Sequence, residues 1–139
     1  MVHALRRAGS YLQRGGTLIS IRPHRTWRPT IAIVAGMGRV PVTTLLNTAF
    51  EVNLDAAESA LERVVDEGSF AVAGVRAARY RIYLARPSQM RTYLELINPP
   101  RPRFPRGARA RLDVMWDSAP RGARIEVTES LMVNALRRR

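Results

Sequence analysis

Apolar residues recur at helical spacing in Val2, Leu5, Ala8 and Leu12, with Arg6, Arg7 and Gln13 mostly elsewhere. This predicts a helix over Val2–Gln13, closed by Gly15-Gly16. The run TLISI (Thr17–Ile21) is short, apolar and rich in β-branched residues, and it ends at Arg22-Pro23, so it predicts a buried strand. After the loop His24–Pro29, the pattern predicts strands at Thr30–Ala35 and Arg39–Leu46, turned at Gly36-Met37-Gly38. The clearest helical stripe is Ala57, Leu61, Val64 and Val65, predicting a helix over Asp55–Glu67 capped by Asp55 and ended by Gly68.

The second half alternates again. Ser69–Arg86 predicts a long strand, with Tyr80, Ile82 and Leu84 on one face and Arg79, Arg81 and Tyr83 on the other. SQMRTYLELI predicts a helix with Ser88 as its N-cap and Pro99-Pro100 beyond its end. A Pro/Arg loop (Arg101–Gly107) leads to a helix over Ala108–Ala119, with Leu112, Met115 and Trp116 inward. A final strand follows over Arg124–Arg138, in which Ile125, Val127 and Glu129 alternate with Glu126, Thr128 and Ser130. No repeat, low-complexity tract or linker divides the chain, which predicts a single domain over 1–139.

Composition narrows the function classes. The chain has 139 residues, no cysteine and a formal net charge of +12. Lacking cysteine, it has no disulfide, thiolate nucleophile or thiolate metal site, and it suits a reducing, cytoplasmic setting. No apolar run approaches the ~20 residues of a membrane span, so no membrane partner is expected. All 23 basic residues are Arg. Such an excess points to a polyanion such as RNA or DNA, although GC-rich coding produces the same bias. The charge concentrates in RPRFPRGARAR (Arg101–Arg111) and in Arg137–Arg139.

The element order gives ALRRAGSYLQRGGTLISI (Ala4–Ile21) a meaning. It resembles the ALREAxRVLxPGGxLLxI segment that leads into the fifth strand of class I S-adenosylmethionine-dependent methyltransferases, with Arg14 where the family commonly places Pro. The resemblance implies an α/β fold with a mixed sheet, the carboxyl half of that architecture, carrying Thr30–Leu46 as a β-hairpin insertion. Asp55–Glu67 would be its last helix, and Phe70–Ala85 and Arg124–Leu136 its antiparallel sixth and seventh strands. The first half of such an enzyme holds the cofactor through a Gly-rich turn and a ribose-binding acid. This chain has no G-x-G-x-G; Gly36–Gly38 is the nearest approach.

Three functions are therefore expected. One is a methyltransferase-related, non-catalytic or partner-dependent subunit that oligomerises or binds. Another is an Arg-rich nucleic-acid-binding module, with Arg101, Arg103, Arg106, Arg109 and Arg111 for phosphates and Phe104 for stacking. The last is part of an active methyltransferase, taking S-adenosylmethionine only if a partner supplies the missing half. Arg22 and His24, just past the Thr17–Ile21 strand, are the candidate substrate-binding residues; a solvated loop is the plainer alternative. Neither His3 nor His24 has a carboxylate or second histidine at ligand spacing, so no metal is expected. Asp66-Glu67 and Asp113/Asp117 suit solvated ion pairs, and Ser20, Ser69 and Ser88 have no G-x-S-x-G context. An open edge on Thr17–Ile21 would favour a homodimer or a partner chain, unless the hairpin folds back over it.

Overall fold

The computed structural model describes residues 1–97 and 100–139, with backbone alone at 48–50. Pro99 of the expected stop after the third helix lies outside the described residues. The elements are α1 (Val2–Tyr11), β1 (Thr17–Arg22), β2 (Thr30–Ala35), β3 (Gly38–Thr44), α2 (Thr48–Asp66), β4 (Phe70–Leu84), α3 (Gln89–Glu95), α4 (Ala108–Asp117) and β5 (Arg124–Arg138). The chain is α/β, as expected, and where a mixed sheet was expected its five strands form a mostly antiparallel one. β5 pairs antiparallel with β1 and with β2, β2 pairs antiparallel with β3, and β4 also pairs with β5. The β2–β3 connection is a tight hairpin and needs no crossover helix, which is what makes that pair antiparallel.

The chain forms two compact units. The first comprises Met1–Arg25, Glu51–Ala78 and Leu131–Arg139; the second comprises Thr26–Phe50 and Arg79–Ser130.

In the first unit, α1 and α2 lie on one side of β1 and the second half of β5. Leu61 and Val64 of α2 pack with Phe70 and Leu136, and Val2, Leu5, Leu12, Leu18 and Val65 surround them. Each such large side chain, fully buried, is worth about 1.5–3 kcal/mol over its exposed state. Alternation then fixes the opposite side of the sheet. Leu18 faces Leu136 in the core, so the neighbouring pairs Ile19–Ala135 and Ile21–Val133 point away from it. Ile19 and Ile21 remain 53% and 67% exposed.

Helix α2 begins at Thr48, seven residues before the expected start, so Asp55 is an interior residue rather than the cap. Its carboxylate instead lies 2.7 Å from Arg25. The buried stripe Leu54, Ala57, Ala60, Leu61 and Val64 keeps the helical period running upstream of Asp55.

In the second unit, one face of the sheet carries Ile31, Ile33, Ile125 and Val127 against Met90 and Tyr93 of α3 and Leu112 of α4. Met115, Trp116 and Phe104 pack against that core from its rim. The hairpin pairs Ala35 with Gly38. Gly36, at the first central position, takes φ +54, the positive value a primed two-residue turn demands. Ser88 does occupy the N-cap of α3, but its side chain makes no capping hydrogen bond. Gln89 answers the chain there, its Oε1 accepting from the Ala85 amide at 2.6 Å.

Candidate functional site

The side of the second unit's sheet away from that core is polar. Thr30 pairs with Thr128 and Ala32 with Glu126, so alternation turns Glu126 and Thr128 away from Ile125 and Val127. β3 adds Arg39, and β4 adds Arg79, Tyr80 and Arg81. Together they line a cleft of about 720 Å³.

Glu126 organises it. The residue is only 3% exposed. Oε1 accepts from Arg39 Nε at 2.8 Å and from the Thr128 hydroxyl at 3.2 Å. Oε2 accepts from the Tyr83 hydroxyl at 3.3 Å and lies 3.5 Å from Arg81 Nε. Burial would raise this carboxyl, but the hydrogen bonds from Arg39 and Thr128 and the charges of Arg39 and Arg81 outweigh it, holding it below the ordinary range. Arg79 is fixed differently, its guanidinium lying 4.5 Å above the Trp27 ring centre.

Three residues along β5, Glu129 has the opposite character. It is in phase with Ile125 and Val127, and the Tyr93 hydroxyl donates to its Oε1. Burial raises the Glu129 carboxyl despite that hydrogen bond. Burial, then the hydrogen bond to Glu129, pushes the Tyr93 phenol far above its ordinary value. Burial and Glu129 also raise Tyr80. Tyr93 and Glu129 are a shielded part of the core rim, with the exposed Tyr80 beside them, whereas Glu126 belongs to a charged cleft.

The residues expected to form sites fall elsewhere. In the first unit Arg22 hydrogen-bonds Asn134 Oδ1 and lies 3.1 Å from Glu58, with its side chain 11% exposed. Its guanidinium thus ties β1 to α2 and β5. His24 is partly buried in the loop that follows.

The Arg101–Arg111 segment is not one uniform surface. Arg101 donates to the carbonyls of Ile97 at 2.9 Å and Glu95 at 3.2 Å, closing the end of α3. Arg103 exchanges backbone hydrogen bonds with Leu46 at 2.7 and 2.8 Å. Phe104 packs on the core rim, and Arg109 lies 5.7 Å above its ring while donating to the Pro87 carbonyl. The side chains of Arg103, Arg106 and Arg111 are exposed.

Sequence patterning showed Arg79, Arg81 and Tyr83 on one strand face but not the cleft, whose other walls come from β2, β3 and β5. Among the described residues, no group of three or more His, Cys, Asp or Glu stands together to hold a metal. No helix among them is long and apolar enough to cross a membrane. Comparison with family models, curated proteins and solved structures finds no match for the chain.

Proposed function

We propose that this chain is a methyltransferase-related binding subunit without its own S-adenosylmethionine site, which dimerises through β1. The observation that carries this is the state of β1. It ends the sheet path with β5 as its strand partner among the described residues, and Ile19 and Ile21 stand exposed on it. The hairpin pairs through β2 with β5 rather than with β1. Across Thr17–Ile21 this edge carries neither proline nor charge, its one arginine, Arg22, standing at the end of the strand and held by Glu58 and Asn134, and such an apolar edge is a template for strand addition. Two copies of TLISIR meeting antiparallel across a twofold axis would satisfy both edges at once. The antiparallel return of β5 onto β1 agrees with the last strand that the resemblance implies.

Light scattering of the full chain at micromolar concentration should give twice 15.6 kDa, and Ile21→Lys should give the monomer. A wild-type species of 15.6 kDa overturns the dimer. Calorimetry with S-adenosylmethionine should show no binding, because the Gly-rich turn and ribose acid are missing. Micromolar affinity for the single purified species would overturn that part.

A further inference from the structure

We propose that the cleft of the second unit binds a small phosphate monoester, with Arg79 and Arg81 gripping the phosphate. Every residue involved lies in the second unit, so the inference is independent of the dimer.

Charge is the first argument. Three guanidiniums, Arg39, Arg79 and Arg81, line the cleft beside one carboxylate, Glu126. Both Glu126 oxygens already have two partners each, so the carboxylate has no geometry left for Arg79. Two positive charges are left over. A phosphate monoester carries about −1.5 to −2 at neutral pH, which matches that surplus better than a single carboxylate does.

Preorganisation is the second. Arg39 and Arg81 approach Glu126 with Nε, and the two terminal nitrogens of each can still make an end-on fork onto a second oxyanion. The Arg79 guanidinium carbon lies 4.5 Å from the Trp27 ring centre, a cation–π contact that restrains the group without using its N–H donors on a carboxylate. Arg81 is 63% exposed, so a ligand can reach it.

Size decides between ligand classes. A cleft of about 720 Å³ is in the range that encloses a metabolite-sized molecule. A nucleic-acid backbone needs cations strung along a groove, whereas Arg39 and Arg81 converge on one carboxylate with Arg79 lining the same cleft.

The test uses the full chain titrated with phenyl phosphate at constant ionic strength, followed by calorimetry and the Trp27 indole resonance. One saturable site is expected, with benzoate at least tenfold weaker. Binding should strengthen from pH 5 to pH 7 as the second phosphate proton leaves. R79Q and R81Q should each weaken it at least fivefold. Should R81Q fail to fold, R79Q carries the test, since it leaves every Glu126 contact in place. The proposal is overturned by absence of saturable binding, by affinity indifferent to R79Q, or by benzoate binding as well as phenyl phosphate. A single-stranded oligonucleotide that binds more tightly than phenyl phosphate, with the same dependence on Arg79, would also overturn it and assign the cleft to nucleic acid.

Discussion

The two units handle their arginines differently. The first has ten arginines and six acidic side chains, and the second has thirteen and five. In the first, Arg6 pairs with Glu67, Arg22 with Glu58 and Arg25 with Asp55, each joining segments far apart in sequence. In the second, acids run short. Arg91 with Glu95 and Arg109 with Asp113 make only local pairs four residues apart, Arg101 turns to backbone carbonyls, Arg79 to an aromatic ring, and Arg39 and Arg81 share one buried Glu126. The first unit therefore presents its unsatisfied surface as apolar, at Ile19 and Ile21, and the second presents it as positive charge in a cleft. A basic excess that looks uniform along a sequence can be structural in one place and available for binding in another.

The largest effects should come from the cores, and they test whether the first unit's single helical cover is enough to hold it. Phe70→Ala removes a ring that is 1% exposed and should cost about 3–5 kcal/mol in urea unfolding. Gly9→Ala probes the same ring from α1. A methyl at Gly9 would sit 3.0 Å from Phe70 Cζ and 3.2 Å from Cε2, so the ring must yield. The better helix propensity of alanine, worth about 1 kcal/mol, should be cancelled, leaving G9A no more stable than wild type. Phe70→Leu should let the propensity gain appear. A clear stabilisation by Gly9→Ala alone would show that the α1 contact is loose.

Glu126 and Glu129 carry the comparison into a single strand, and pH separates them. The folded-state pKa of Glu126 is lowered, so its contribution is present above the ordinary value of 4.5 and lost as pH falls through the folded value. That of Glu129 is raised, so the native state holds its proton more tightly. Stability from Glu129 is greatest below 4.5 and declines as pH rises from there to the folded value. Urea midpoints should accordingly show Glu126→Gln losing more at pH 7 than at pH 3, by about 1–3 kcal/mol for a buried, hydrogen-bonded carboxylate. Glu129→Gln should gain relative to wild type at pH 7 and change little at pH 3. Parallel pH profiles for the two variants would remove the distinction.

These two carboxylates also show what was legible in the sequence. Strands β2 and β5 have the expected bounds, because runs rich in β-branched residues (Thr30–Val34 and Ile125–Thr128) stand directly after or before turn residues and leave little choice of period. The same alternation put Glu129 in phase with Ile125 and Val127, which signals a carboxyl in an apolar setting. The start of α2 was missed although Asn47 and the Thr48-x-x-Glu51 spacing offer a cap, because no clean apolar stripe runs ahead of Asp55, and packing of Leu54 decides it. The cleft could not be read, since Thr30, Arg39, Arg81 and Glu126 meet only through strand pairing across nearly a hundred residues. Arg101 looked like any arginine of its loop, although three-dimensional placement makes it the closing residue of α3.

The smallest effect separates structural from surplus arginine within that loop. The last carbonyls of a helix have no intrahelical donor and need one from elsewhere. Arg101 supplies it to Glu95 and Ile97, whereas the Arg106 side chain is simply exposed. Arg101→Ser should therefore cost about 0.5–1.5 kcal/mol, the net worth of such hydrogen bonds, and Arg106→Ser close to nothing. Each variant removes one positive charge, so any general relief of charge repulsion is common to both and cancels in their difference. Added salt should leave that difference standing, because a hydrogen bond to a carbonyl does not depend on the ionic atmosphere as an exposed charge does. Equal unfolding midpoints for the two variants would mean that Arg101 closes no helix and belongs with the surplus.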